Sequence, residues 1–202
     1  MTSQLGNEFP PGLSIGLLGG SFNPAHAGHR AISLVALNAL GLDRVVWLVS
    51  PQNPLKAPGD LADYETRIDA ARNMAQHSRI DVSDFEARLH LRYTIDTITT
   101  LKARHPCVRF VLLIGADNLV QLPRWKDWTR LFTTMPIAVF ARPGSRFAAL
   151  ASKPAQRYRE RRLPAEAARR LIRLTAPVWT FLPYTHRAES ATAIRAAGDW
   201  PA

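Results

Sequence analysis

The chain has 202 residues, 47% of them hydrophobic and 21% charged, which suits one substantial core and is short for two. No positively charged leader with an apolar stretch and a small-residue cleavage site opens it, and no apolar run approaches the roughly 20 residues that span a bilayer, so a soluble, cytoplasmic protein without a membrane partner is expected. Cys107 alone excludes an intrachain disulfide and a thiolate zinc site, while a formal charge of +10 and a pI near 10.8 raise the question of a polyanionic partner.

Residues 1–12 carry Gly, Asn and a Pro-Pro pair without apolar periodicity and read as a loose extension of a single domain spanning 1–202. Leu13 to Gly19 is the first strand. It runs into Gly19-Gly20-Ser21-Phe22-Asn23-Pro24-Ala25-His26-Ala27-Gly28-His29, where the glycine pair offers backbone freedom for a sharp exit and Asn23-Pro24 turns the chain. Ala27 to Leu40 then shows helical spacing, so His26 and His29 fall in or just before the first turn, three apart and on one face. A helix start presents unpaired N–H groups and partial positive charge, and two imidazoles beside it add donors that can charge as negative charge grows. Gly28 leaves room for a phosphate to approach. On these residues the stretch is a phosphate-handling loop, although two histidines at that spacing alone would equally suit a metal pair or an ordinary helix start. Arg44 to Ser50 is a second continuous apolar strand, and strand-helix-strand with such strands argues for an α/β fold with a parallel sheet covered on both faces.

The loop Ser50-Pro51-Gln52-Asn53-Pro54-Leu55-Lys56 ends in a lysine just beyond a strand's carboxyl end, where ligands bind in open α/β sheets; otherwise Lys56 is a solvated surface residue. Leu61 to Gln76 reads as an exposed amphipathic helix with Tyr64, Ile68, Ala71 and Met74 or Ala75 on one side, and Arg79 to Phe85 as a third strand. Thr94 is expected to N-cap the next helix. Val108 to Ile114 is the most apolar strand and is placed centrally; it ends in Gly115-Ala116-Asp117-Asn118, where Asp117 is either a ribose acceptor or a helix N-cap. By themselves Trp125 and Trp128 read as core or interface aromatics. Ile137 to Ala141 is a fifth strand, leaving through Arg142-Pro143-Gly144. From Arg142 to Arg173 ten Lys or Arg face two Glu, a net +8 that reads first as a solvated face, then as a field attracting a nucleotide, and last as a nucleic-acid surface, since no recognition module is present. A helix from Pro164 to Leu174 and a strand from Val178 to Leu182 follow. Ser190, Thr192 and Arg195 then sit at a short helix start suited to a second anion site.

Gly19-Gly20-Ser21-Phe22-Asn23-Pro24 followed by His26-x-Gly28-His29 resembles the (His/Thr)-x-Gly-His signature of nucleotidyltransferases, and Glu189-Ser190-Ala191-Thr192-Ala193-Ile194-Arg195 resembles their second signature. Tyr93-Thr94-Ile95-Asp96-Thr97, the Gly115-x-Asp117 stretch with Trp125, the Asn53-Pro54-Leu55-Lys56 loop and the Arg142-Pro143-Gly144 exit are similar to those of the bacterial nicotinate-nucleotide adenylyltransferases. Where that family often has Asp this chain has Asn23, Glu189 stands in place of an apolar residue, and little helix follows Arg195. The resemblance covers about residues 13 to 196. It implies a Rossmann-like parallel sheet with helices on both faces, and transfer of an adenylyl group from ATP to nicotinate mononucleotide in NAD biosynthesis. In that reading Mg²⁺ arrives with ATP, a homo-oligomer is compatible, and nucleic acid is not a partner. It implies catalytic roles for His26, His29, Lys56 and Arg195. Gly19, Gly20, Ser21, Phe22, Gly28, Gly115, Asp117, Ser190, Thr192 and Arg195 would bind ATP, and Asn23, Lys56, Thr94, Trp125 and Arg142 the acceptor. The rivals are another transferase of this fold, acting on phosphopantetheine or nicotinamide mononucleotide, and a basic nucleic-acid-binding protein.

Overall fold

Apolar runs with no polar alternate can only be strands that are covered on both faces, and this is how they fold. The structure is a computed structural model that describes residues 9–52, 61–141, 146–183, 191–196 and 200, without the side chains of 192, 193 and 196. The strands are β1 (Ser14–Gly20), β2 (Arg44–Val49), β3 (Ile80–Ser83), β4 (Arg109–Gly115), β5 (Ile137–Ala141), the two-residue β6 (Arg162–Leu163) and β7 (Trp179–Pro183). Between and after them lie α1 (Ala27–Ala39), α2 (Tyr64–Ala75), α3 (Phe85–Arg88), α4 (Thr94–Arg104), α5 (Ala116–Gln121), α6 (Trp128–Thr134), α7 (Arg146–Ala151), α8 (Lys153–Arg157) and α9 (Ala191–Ala196). All pairings are parallel, in the order β3-β2-β1-β4-β5-β7-β6.

Successive strand residues point to opposite faces. In β2, Val45, Trp47 and Val49 pack with α1 and α2, while Val46 and Leu48 pack with α3 and α4 on the other side. The same alternation in β4 sends Val111 and Leu113 one way and Phe110, Leu112 and Ile114 the other. The expected Rossmann-like sheet with helices on both faces is therefore present. From β1 the chain steps outward through β2 and β3, then returns to pair β4 on β1's other edge. The crevice outside the carboxyl ends of β1 and β4 is thus a topological switch point, where open α/β sheets hold ligands.

Several segments differ from their expectation. Residues 9–12 are not loose: Phe9 packs edge-on against His105 at 5.2 Å and Phe110 at 6.4 Å, and Gly12 N–H donates to the Cys107 carbonyl at 2.8 Å. The helix expected at Pro164 to Leu174 is a 3₁₀ helix over Ala165–Arg173, with Pro164 at the N-cap. Ala165, Ala168 and Leu171 recur every third residue, the repeat of a 3₁₀ turn, and all three pack inward. The basic segment also contains α7 and α8, and each of its nine described Lys and Arg residues is exposed. Among the described residues no helix is long and apolar enough to cross a membrane.

Candidate active site

The loop leaving β1 does not use its glycines for strain. Neither Gly19 nor Gly20 has a positive φ; that conformation falls on Phe22, at φ 47°. A Cβ at Gly19 would meet nothing within 4 Å, so neither a positive φ nor crowding calls for glycine there, which revises the expected role of backbone freedom. Phe22 turns back to stack on Trp47, centroids 5.0 Å apart and 16° from parallel, and lies 4.7 Å from the His29 ring. Trp47 Nε1 donates to Ser33 Oγ at 2.8 Å, and Ser33 Oγ donates to the His29 carbonyl at 2.9 Å. A buried aromatic shelf from β2 thereby fixes the height of the first turn of α1.

His26 is the N-cap of α1 and His29 the third residue of the helix, and each serves the other end of a capping box. Gly28 N–H donates to His26 Nδ1 at 3.1 Å, and His26 N–H donates to His29 Nδ1 at 3.2 Å. Because both Nδ1 atoms accept, the neutral rings carry their protons on Nε2. Protonating either Nδ1 would sever a capping bond. The two rings stand with centroids 3.9 Å apart, and their Nδ1 atoms are both engaged by backbone N–H groups. Gly28 is buried and acts through its backbone N–H to His26 rather than by lining the cleft.

Across the crevice, α4 begins one residue earlier than a Thr94 cap would place it. Tyr93 occupies the N-cap, and its carbonyl accepts from Asp96 and Thr97 N–H, leaving Thr94 as the first helical residue with its side chain free of the capping task. Thr97, fully buried, donates from Oγ1 to Glu86 Oε1 at 2.9 Å. Burial pushes the Glu86 carboxyl above its ordinary value, partly offset by hydrogen bonds from Thr97 and Ser50. At the end of β4, Gly115 takes the N-cap position of α5, so Asp117 lies within the first turn and does not cap. A Cβ on Gly115 would run into the Asp117 carboxylate, which folds over the strand end. Trp125, in extended backbone after a 3₁₀ turn, closes this side, whereas Trp128 belongs to an aromatic cluster with Phe132 and Tyr158.

These walls enclose a cleft of about 420 Å³, the size of a small-molecule site. It brings together Gly19, Gly20, Ser21, Phe22, Asn23, His26, His29, Thr94, Gly115, Asp117 and Trp125. Arg195 does not line it but stands beside it, donating from Nη1 to the Asn23 carbonyl. Lys56, Arg142 and Ser190, and the side chain of Thr192, lie outside the described residues. Glu86, Arg92 and Lys126 also line the cleft and were not singled out from sequence. Lys126 sits 4.5 Å from the Tyr93 ring and pairs with Asp96 at 3.3 Å. Among the described residues no three His, Cys, Asp or Glu side chains gather so as to hold a metal ion.

A cytidylyltransferase-like family model matches residues 17–197. A protein of Parvibaculum lavamentivorans named "Probable nicotinate-nucleotide adenylyltransferase" is 52% identical over 190 residues, covering 94% of each chain. One of the same name from Ruegeria pomeroyi is 51% identical over 192 residues, covering 95% of this chain and 90% of its own. Among solved structures, the Plasmodium falciparum nicotinic acid mononucleotide adenylyltransferase complexed with NaAD superposes with a TM-score of 0.70 at 15% identity, over 91% of this chain and 83% of that one, which speaks for the fold. With family model and relatives both spanning nearly its whole length, the chain belongs to the cytidylyltransferase-like family and, within it, to the nicotinate-nucleotide adenylyltransferases.

Proposed function

We propose that this chain transfers the adenylyl group of ATP to nicotinate mononucleotide, giving nicotinate adenine dinucleotide and pyrophosphate. The observation that carries the reading is one cleft with two unlike walls. On one, paired Nε2–H donors stand at a helix start; on the other, Thr94 and Trp125 flank the opening of α4. An acceptor phosphate oxygen attacks the α-phosphorus of ATP, a new P–O bond forms, the α–β bond breaks, and its electron pair leaves on pyrophosphate. The nucleophile is already an anion, so the chain needs no strong base. It needs positioning and donors for charge developing on the α-phosphate.

In this reading the Nε2–H groups of His26 and His29 serve the phosphates, with the N–H groups of the α1 first turn behind them. Gly19 and Gly20 admit the nucleotide, and the Asp117 carboxylate accepts ribose hydroxyls over Gly115. Arg195, with Ser190 and Thr192, holds the outer phosphates. Lys56 and Arg142 neutralise charge near the acceptor, whose ring stacks on Trp125. Mg²⁺ carried on the triphosphate would supply charge neutralisation, and among the described residues no cluster of carboxylates offers a protein cage, which suits a cation brought by the nucleotide. We also read 1–202 as one nucleotidyltransferase domain.

The test is pyrophosphate release from ATP with nicotinate mononucleotide, nicotinamide mononucleotide and phosphopantetheine compared at one Mg²⁺ concentration. A carboxylate can only accept hydrogen bonds and an amide brings donors that mispair, so nicotinate mononucleotide is expected to lead by about 10² in kcat/KM. Equal values for the two mononucleotides would remove the acceptor assignment but leave adenylyl transfer; release only with phosphopantetheine would replace the reading.

A further inference from the structure

Arg67 lies on the buried face of α2 and is 1% exposed. A buried guanidinium ordinarily meets a carboxylate; here, among the described residues, it meets four backbone carbonyls. Nε donates to Ala62 O at 2.9 Å, Nη1 to Ser21 O at 2.6 Å and Ser50 O at 2.7 Å, and Nη2 to Pro51 O at 3.0 Å. The Tyr64 ring covers it at 5.3 Å. Desolvation lowers its proton affinity from the ordinary arginine value, opposed by Tyr64 and Asp63.

The four carbonyls are not neighbours in sequence. Ser21 belongs to the loop after β1, immediately before Phe22, the residue at positive φ. Ser50 and Pro51 open the loop that leaves β2, and Ala62 lies on the approach to α2, so one side chain grips the β2 exit and the α2 entry together. A second set of bonds runs the same way: Ser50 N–H donates to Gly20 O at 2.9 Å, and Ala62 N–H to Asn23 Oδ1 at 3.1 Å. A trans peptide is planar with its C=O and N–H opposed. Pinning Ser21 O on Arg67 therefore turns the Phe22 N–H away from α2, and pinning Pro51 O does the same to Gln52. Only a fork of fixed N–H directions can hold four such acceptors; an ammonium is one point with three donors.

We propose that Arg67 is a positioning residue which sets the β1 exit loop and the β2 exit loop in register, so that Ser21 and Ser50, which both line the cleft, hold one fixed geometry beside His26 and His29. The proposal rests on the adenylyl-transfer reading for its kinetic consequence, not for its geometry. Misregister between two loops that line one cleft leaves each substrate able to bind, since His26, His29, Thr94 and Trp125 stay on their own elements, but spoils the mutual approach of the reacting groups.

The test uses Arg67→Lys and Arg67→Met at a temperature where each is folded by circular dichroism. Folded Arg67→Lys is expected to bind ATP and nicotinate mononucleotide separately within about threefold of the parent while kcat falls by about 10². A folded variant with kcat within threefold of the parent overturns the proposal, whatever its melting temperature, because a purely structural arginine would leave the folded fraction fully active. Should neither variant fold, native-state hydrogen exchange of the parent decides. Segments 20–23, 50–52 and 61–63 should lose protection as one unit with one denaturant dependence, and independent opening overturns the proposal. Exchange does not depend on the acceptor, so it decides even if the parent releases no pyrophosphate, the result that would instead remove the functional reading.

Discussion

Replacing His26 by alanine removes two things at once, the acceptor that caps α1 and the Nε2–H donor. The cap is worth about 1 kcal/mol, and a donor serving a developing oxyanion about 10²-fold in kcat. Asparagine is also a good N-cap, so the two can be separated. His26→Asn should recover most of the melting temperature lost in His26→Ala while kcat stays about 10² below the parent; recovery of kcat would show that His26 acts only as a cap. Glu86 gives a pH-dependent counterpart. Its folded-state carboxyl is raised by burial, so the folded chain holds that proton more tightly than the unfolded one. Stability from the neutral form is present below the ordinary value of 4.5 and is lost as pH rises through the raised one. Glu86→Gln, neutral throughout and still able to accept from Thr97, should gain melting temperature on the parent as pH climbs from 4.5, and the two should converge below it. A gap constant with pH would contradict this. The facing of His26 and His29 was legible from their three-residue spacing. Their proton positions were not, because these depend on which backbone N–H reaches which ring nitrogen. Glu86 gave no signal: it lies in an aperiodic stretch, and Thr97 is eleven residues away.

A six-residue helix such as α9 cannot hold itself together in water. Among the described residues Asn23 ties this end of the chain to the β1 exit loop: Arg195 donates to the Asn23 carbonyl, and Trp200 Nε1 donates to Asn23 Oδ1 at 2.7 Å. Arg195→Ala should therefore weaken ATP binding, and lysine should restore only part of it, since a planar fork becomes a point charge. Equal ATP dissociation constants in calorimetry for parent and Arg195→Ala would exclude a role for this arginine with the nucleotide. The elements carrying strong periodicity, β1, β2, β4, β5, α1 and α2, were legible within a few residues at each end. Where periodicity fades the reading failed for identifiable reasons. In α7 and α8 so few side chains are buried, Ala149 in one and Pro154 with Ala155 in the other, that no stripe is visible. At Ala165–Arg173 the every-third spacing signalled a helix but was taken for the commoner kind. Arg67 shows the opposite case: with Tyr64, Ile68 and Ala71 it lies on the inward face by spacing, and a charge in an apolar stripe was the clue.

Over the whole molecule, continuous apolar strands foretold the parallel sheet, yet its order was hidden, because nothing local says that β4 must return beside β1. The charge distribution was legible in the chain and its meaning only in three dimensions. None of the nine exposed Lys and Arg residues of the basic segment lines the cleft. With a screening length of about 8 Å at 0.15 M salt, replacing Arg157, Arg161 and Arg170 together by Gln should leave kcat/KM for ATP within about twofold. A tenfold fall would assign that face to nucleotide capture. The sheet also has a far end. Cys107 is exposed, just ahead of β4, while the cleft opens where β4 finishes, about 20 Å further along a seven-residue strand. A maleimide dye or a surface tether attached to the only thiol in the chain would leave the cleft facing outward, giving immobilised molecules of one orientation in which turnover can be watched singly.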